Sequence, residues 1–212
     1  MTDDELAQLV IKSKGVDMPH PLSDKSDVTQ DFVWTAGLNE KPTVLDDNDF
    51  DQYLQDNNIP RRDILVREVD PVSYTNISGA QINLTANDIT DMMKYSRLNY
   101  IGGKRGGQLY GAGTYFDKTG GVSTGYGGSQ KAAAMAVLNP ATAKTINDNQ
   151  LFTLAQRFAQ SHPKFTHAVG AYSRNNMSIY ALAMGYNVIT DSAGGYHNVI
   201  DRSALVYRKS NI

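Results

Sequence analysis

Three side chains in one glycine-rich stretch have the types and the spacing of a site for a flat ligand. The stretch reads YGAGTYFDKTGGVSTGYGGS, and its Tyr115 is followed by Ser123 after eight positions and by Tyr126 after eleven. Tyrosine rings hold a planar ligand by stacking, and they attract a ring that carries positive charge. A serine hydroxyl can fix the orientation of such a ligand through a hydrogen bond. The stretch is therefore interpreted as a candidate binding loop.

A second interpretation is a loop or linker, because glycine and serine favour flexible chain. The TYF triplet argues against a linker, since the apolar surface of three consecutive β-formers must be buried. Glycines on both sides of the triplet allow the backbone to approach a ligand closely. In the structural interpretation, Tyr115 and Phe116 are core residues of a strand and Ser123 is a turn residue. Phe116 is assigned to the core in both.

Composition excludes several classes of protein. The chain has 212 residues, of which 41% are hydrophobic and 20% are charged, as in an ordinary soluble globular domain. Its formal charge of −2 provides no basic field for nucleic acid or anionic lipid. Because cysteine is absent, a disulfide framework, a thiol nucleophile and a thiolate zinc site are excluded. An acidic N-terminus and the lack of an apolar run of ~20 residues predict a cytoplasmic protein without a membrane partner.

Metal and phosphate-loop chemistry are not predicted. The GGKRGG segment at 102–107 lacks the GxxxxGK[ST] order of a phosphate loop. His162 and His167 are five positions apart with Pro163 between them, which excludes a helical pair of metal ligands. No metal is therefore expected.

The elements that must position these residues indicate an α+β fold. Capping signals and apolar periodicity predict helices from Thr2, near Asp47–Asn57, from Thr85, over QLFTLAQRFAQS and about Asn176–Met184. Alternation predicts strands at DILVREV, YNVIT, YHNVID and ALVYR, whereas KAAAMAVL is compatible with a short helix or a buried strand. Residues 1–45 are predicted to be an N-terminal helix and a wrapping arm, and residues 46–212 the main domain.

The YGAGTYF segment resembles the FGxGIYF signature of the ADP-ribosyltransferase fold, in its poly(ADP-ribose) polymerase branch. In that branch a serine follows the signature tyrosine by eight positions and a second tyrosine by eleven, as Ser123 and Tyr126 follow Tyr115. The resemblance implies an α+β fold with a split mixed sheet, a central NAD cleft and peripheral helices. Its strands are expected at Asp63–Val69, Gly113–Phe116 and Tyr196–Asp201.

The resemblance also implies the role of each site residue. Tyr115 and Tyr126 would sandwich the nicotinamide ring of NAD, and Ser123 would bond its carboxamide. Arg67, on the strand of the first motif, would bind the ribose or a phosphate oxygen; the alternative for it is a surface ion pair. Assigned to catalysis are Arg67, Tyr115, Tyr196 and His197, and assigned to NAD binding are Arg67, Gly111, Gly113, Thr114, Tyr115, Ser123, Thr124 and Tyr126.

One position departs from the family pattern. The third motif of the family carries a glutamate on a late strand, and Tyr196 occupies that place in this chain. His197 and Asp191 are neighbours that could substitute for the glutamate, although a lone histidine in a strand is more often structural. In the family, loss of this glutamate accompanies mono-transfer or inactivity instead of polymer synthesis.

The function implied is therefore mono-ADP-ribosyl transfer from NAD, as co-substrate, to a protein, with nucleic acid a less favoured acceptor. Two alternatives remain open: a module that binds NAD or ADP-ribose without turnover, and a structural or interaction protein. Stand-alone transferase-like domains of phages and prophages, some associated with capsids, are the nearest relatives that the resemblance implies. Such a protein would act in the host cytoplasm or in the virion.

Overall fold

A computed structural model of the protein describes residues 1–14, 32–33, 35–38, 40–75, 79–95, 113–118, 132–192 and 195–212. Within these residues the fold is α+β, as predicted, with six α-helices and ten strands. The helices are α1 (Asp3–Ser13), α2 (Asp47–Asp56), α3 (Ala86–Tyr95), α4 (Asp148–Ser161), α5 (Pro163–Val169) and α6 (Met177–Ala183). The strands are β1 (Thr43–Leu45), β2 (Leu65–Val69), β3 (Val72–Thr75), β4 (Gln81–Leu84), β5 (Thr114–Lys118), β6 (Ala132–Leu138), β7 (Thr145–Asn147), β8 (Val188–Thr190), β9 (Tyr196–Val199) and β10 (Leu205–Arg208).

Eight of the strands form one mixed sheet in the order β1-β10-β6-β2-β5-β9-β8-β7. The pairs β1/β10 and β7/β8 are parallel, and the other neighbours are antiparallel. Strands β3 and β4 form a separate antiparallel ladder. The mixed sheet differs from a helical bundle and from a parallel sheet with crossover helices, the two architectures that would contradict the predicted fold class.

Side-chain caps begin the helices where the sequence predicts them. Thr2 and Glu5 form a capping box, in which the Thr2 N–H donates to Glu5 Oε2 (2.7 Å) and the Glu5 N–H donates to Thr2 Oγ1 (3.3 Å). Thr85 and Asp88 form the same reciprocal pair at the start of α3. These bonds satisfy N–H groups that have no partner inside a helix. In the described ranges, no helix combines the length and the apolar character needed to cross a membrane.

Predicted strand bounds differ from the observed ones at their ends. Before β2 the chain makes a 3₁₀ turn that ends at Asp63, so the strand is shorter than the predicted Asp63–Val69. β9 stops before Asp201, whose carboxylate accepts a hydrogen bond from the backbone two residues later (3.0 Å) and so turns the chain. β5 begins after Gly113 and continues two residues beyond the predicted end at Phe116.

The KAAAMAVL segment, which periodicity left open between helix and strand, forms strand β6. β6 lies between β10 and β2 and is buried from Ala132 to Val137. A strand buried on both faces has an uninterrupted apolar run in place of alternation. Its sequence pattern therefore could not distinguish it from a buried helix.

The two faces of the large sheet bury different side chains. The first face, which carries Leu65, Phe116 and Tyr207, packs against α3. The second face packs against α2 near Val66 at one end and against α4 and α6 near Ile189 at the other. On this second face, β2, β5 and β9 lie between the two helical groups.

The described part of the predicted arm contributes to the core. Phe32 and Val33 are buried together with Leu6 and Val10 of α1, in the cluster that also holds Tyr180. β1 then pairs with β10 at one edge of the sheet. These residues thus form regular structure in an apolar environment, whereas the polar sequence around them predicts an arm of low regularity.

Candidate functional site

The three strands that carry the predicted catalytic residues are neighbours in the centre of the sheet. β5, with Tyr115, lies between β2, with Arg67, and β9, with Tyr196 and His197. The strands are far apart in the sequence and meet only through the fold. Their side chains divide between the two faces of the sheet: Tyr115 and Tyr196 project to the second face, and Arg67 and His197 to the first.

Arg67 lies where the ladder between β2 and β5 ends. Leu65 and Val66 pair with β5, whereas β2 continues to Val69 in its pairing with β6. Beyond the last β2–β5 pair, Arg67 Nη1 donates a hydrogen bond to the carbonyl oxygen of Tyr115 at 2.8 Å. The side chain therefore satisfies a backbone acceptor at the point where the two strands part.

Polar side chains share the second face of these strands. Tyr115 is paired with Asn198, and Asp117 is paired with Tyr196, so that each pair projects to one face. By strand alternation, Glu68 projects to the same face of β2. Asn198 is buried, Tyr196 is 43% exposed, and the other three are half-buried. A ligand on this face would meet aromatic rings and carboxylates together.

Asp117 and Glu68 are the functional candidates that the sequence reasoning missed. Burial raises the pKa of Asp117 above its ordinary value; the positive charge of Arg67 lowers this pKa and the negative charge of Glu68 raises it. A signal for Asp117 was present, because it follows Tyr115 by two positions and a strand places such residues on one face. For Glu68 the sequence signal was weaker, because the sequence does not show which residues of β2 share a face with Tyr115.

The two predicted residues at the third-motif position project to opposite faces. Tyr196 is on the second face, whereas His197 is 7% exposed and paired with Phe116 on the first face. Burial lowers the pKa of His197 to about 4; the charge of Lys118 acts in the same direction and that of Asp63 opposes it. His197 Nδ1 is buried and has no hydrogen-bond partner among the described residues. An imidazole with this pKa is poorly matched to acid–base catalysis near neutral pH.

Asp191, the other neighbour considered for that position, has a structural role in the turn before β9. Its backbone N–H donates to the carbonyl oxygen of Tyr196 at 2.9 Å. Its carboxylate accepts a hydrogen bond from the Gly195 N–H at 3.3 Å. These contacts hold the start of β9 against the end of β8.

Gly113 is required by close packing against the neighbouring strand. A Cβ atom at this position would overlap the side-chain oxygen of Asn198 and would lie 2.8 Å from Asn198 Cγ and 3.0 Å from the carbonyl oxygen of Val199. Thr114, the next residue, is buried and pairs with Val199. This glycine of the motif is thus explained within the protein, and NAD binding by Gly113 and Thr114 stays a prediction.

Gly113→Ala is expected to lower the free energy of unfolding by about 1–3 kcal/mol, the usual cost of forcing an atom into a packed site. Because the new methyl group would overlap Asn198, Asn198→Ala in the same chain should recover part of the loss. Urea unfolding of the parent, the two single variants and the double variant gives the coupling energy. Simple additivity would show that the two side chains do not compete for this space.

The remaining predicted residues lie outside the described part of the chain: Gly111, Ser123, Thr124 and Tyr126. The pairing of Tyr115 with Tyr126 around a ligand therefore stays a prediction. In the part of the chain that the structure describes, no group of three or more histidine, aspartate and glutamate side chains could hold a metal ion.

Comparisons with known proteins assign no family to the chain. It matches no protein-family model, no curated protein and no solved structure. The functional assignment therefore depends on the residues of the site and on the resemblance of the YGAGTYF motif.

Proposed function

We propose that the protein is an NAD-dependent mono-ADP-ribosyltransferase that binds NAD on the second face of β2, β5 and β9. The observation that carries this proposal is the adjacency of these three strands. The motif resemblance assigns Tyr115 and Tyr196 to separate segments that must meet if they share one ligand, and both project to the second face. The Arg67 side chain projects to the first face and is tied to this site by its hydrogen bond to the Tyr115 carbonyl oxygen, so its direct contact with NAD stays a prediction. An arrangement with these strands apart would have removed the basis of the proposal.

The proposed architecture is the split sheet of the ADP-ribosyltransferase fold, with its NAD cleft at the split. The short ladder between β2 and β5 supports this assignment, because the first and second motif strands part there. The hydrogen bond from Arg67 to the Tyr115 carbonyl oxygen supports it further, since it ties the two motifs together at the same point.

NAD would serve as a co-substrate. Its nicotinamide ring would stack on Tyr115, with Tyr126 on the other side and Ser123 on the carboxamide, as the spacing predicts. When the bond between the nicotinamide nitrogen and the ribose carbon breaks, nicotinamide leaves with the bonding electrons. A nucleophilic atom of a protein acceptor then bonds to the ribose carbon and loses its proton.

Asp117 and Glu68 would stabilise the positive charge that develops on the ribose. Carboxylates beside an oxocarbenium-like carbon lower the barrier by electrostatic stabilisation. Asp117 is the better placed of the two, because it is on the same strand face as Tyr115 and is paired with Tyr196, the residue that the resemblance puts at the position of the family glutamate. The carboxylate would thus come from the strand next to the usual one.

A second candidate function is binding of NAD or ADP-ribose without turnover, in a module or in a phage structural or interaction protein. The observation that favours it is the third-motif position itself. Tyr196 has no carboxylate, and His197 is buried on the other face with a pKa of about 4. In either case the proposed place of action is the host cytoplasm or the virion.

Tyr126→Ala is expected to weaken NAD binding by around 1–2 kcal/mol, because it removes one aromatic face from a cationic ring. Isothermal titration calorimetry with NAD and with nicotinamide measures the change. Tyr95→Ala is the matched control, since Tyr95 is 45% exposed on α3 and is not a member of the proposed site. Equal NAD affinity of the parent and of Tyr126→Ala would contradict the hypothesis that the glycine-rich stretch binds nicotinamide. It would favour the structural interpretation of the stretch.

Turnover separates the two candidate functions. With adenine-labelled NAD and a lysate of the host, the transferase predicts label on macromolecules and release of nicotinamide. Protease treatment of the labelled material identifies a protein acceptor, and nuclease treatment identifies nucleic acid. NAD binding with neither label transfer nor nicotinamide release would identify a binding module.

A further inference from the structure

A buried arginine lies at the crossing between β9 and β10. Arg202 is 4% exposed and belongs to the 3₁₀ turn Arg202–Ala204. Its Nε, Nη1 and Nη2 atoms are all buried, and none has a hydrogen-bond partner among the described residues. Since a guanidinium group carries five N–H donors, this side chain leaves an unusually large donor capacity unused.

A buried guanidinium group lowers the stability of the folded protein unless an anion accompanies it. A buried charge without a partner is strongly destabilising, because the loss of hydration is not compensated. Asp201 is the adjacent carboxylate, and it accepts hydrogen bonds from the backbone N–H (3.0 Å) and the hydroxyl (2.8 Å) of Ser203. Within the described part of the chain, Arg202 makes no ion pair with this carboxylate, so its charge lacks a direct partner.

We infer that Arg202 forms an internal site for a phosphate group at the turn between β9 and β10. Its five N–H donors exceed what the two oxygens of a single carboxylate accept well. A phosphate offers more oxygens and a second negative charge, and the arginine fork matches its geometry.

The test compares the stability of the full chain in phosphate and in chloride at equal ionic strength, by urea unfolding. The parent should gain stability as phosphate is added, as for any ligand that binds the folded state. Arg202→Met should weaken the apparent phosphate affinity by about tenfold or more, because it removes the charged donors. Arg174→Met is the matched control, since Arg174 is exposed and should leave the phosphate dependence unchanged.

Phosphate also stabilises folded proteins by exclusion from their surface, so the difference between Arg202→Met and the parent measures the site. Equal phosphate dependence in these two proteins would overturn the inference and assign the unused donors to buried water. If Arg202→Met does not fold, Arg202→Lys decides, because it keeps the charge, loses the fork and should still weaken phosphate binding.

A parallel series with ADP-ribose distinguishes the source of the phosphate. Stabilisation by ADP-ribose that is lost in Arg202→Met identifies a nucleotide phosphate as the occupant. Stabilisation by inorganic phosphate alone identifies a free anion. The inference does not depend on the proposed transferase, whose failure would appear separately as unchanged NAD affinity in Tyr126→Ala.

Discussion

Phe116→Ala is expected to lower the free energy of unfolding by about 3–5 kcal/mol while leaving NAD affinity nearly unchanged. Phe116 is 1% exposed in the first-face cluster, and its ring centroid is 6.2 Å from that of Tyr207. Truncation removes this ring and leaves a cavity, because β5 is held by neighbours on both edges and cannot collapse into the space.

Tyr115→Ala is the matched variant, one position earlier on the same strand. Tyr115 is half-buried and projects to the second face, where the ligand is proposed to bind. We therefore expect a smaller loss of stability and a loss of NAD affinity of around 1–2 kcal/mol. Urea unfolding and calorimetry on both variants measure the two quantities. If both variants lost NAD affinity to the same degree, the assignment of the two residues to different faces would be wrong.

This pair also shows how far the sequence determines the fold. Local signals predicted the helices that begin at Thr2 and Thr85, because a cap is a contact between residues three positions apart. The sequence assigns Phe116 to the core and Tyr115 to a ligand, and strand alternation accounts for this division in the structure, where the two residues project to opposite faces. Interactions between residues this close in the sequence can be predicted from the sequence alone. The predicted elements differ from the observed ones by small errors in the positions of the strand ends.

Strand order lies beyond such local signals. That β5 pairs with both β2 and β9 follows from burial of the whole sheet, and no pattern within a strand specifies its neighbours. The pairing of Asp117 with Tyr196 therefore could not be predicted, although each residue is plain in the sequence. For the same reason, the sequence could not identify Asn198 as the neighbour of Gly113. The sequence indicated a close approach, and the described approach is by Asn198.

Which buried charges lack an ion-pair partner is the feature that the sequence predicts least. Arg202 and Asp201 are adjacent in the sequence and would be taken for a surface ion pair. In the structure both are buried, and the carboxylate is bonded to Ser203 instead. Because the Asp201 carboxylate is bonded to Ser203, Arg202 needs an external anion. Only the packed turn between β9 and β10 specifies this pairing of Asp201 with Ser203.

The stability of the protein is expected to fall by up to about 3 kcal/mol as the pH is lowered from about 6.5 to 4, through His197 alone. Burial lowers the pKa of His197 from 6.5 to about 4, so the unfolded chain binds a proton in this range while the folded chain does not. Protons taken up on unfolding favour the unfolded state, and the loss therefore grows as pH falls. Above pH ~6.5 the imidazole is neutral in both states and contributes no such loss.

His197→Gln isolates this contribution, because the amide does not titrate. Urea unfolding of the parent and the variant between pH ~4.5 and ~7.5 should give a stability difference that shifts in favour of the variant as the pH falls. His167→Gln is the control for the substitution itself, since His167 is an exposed histidine on α5. A difference between His197→Gln and the parent that stays constant with pH would mean that His197 takes up its proton in the folded protein. In that case the imidazole would be available to acid–base chemistry after all, and His197 would return to the list of catalytic candidates.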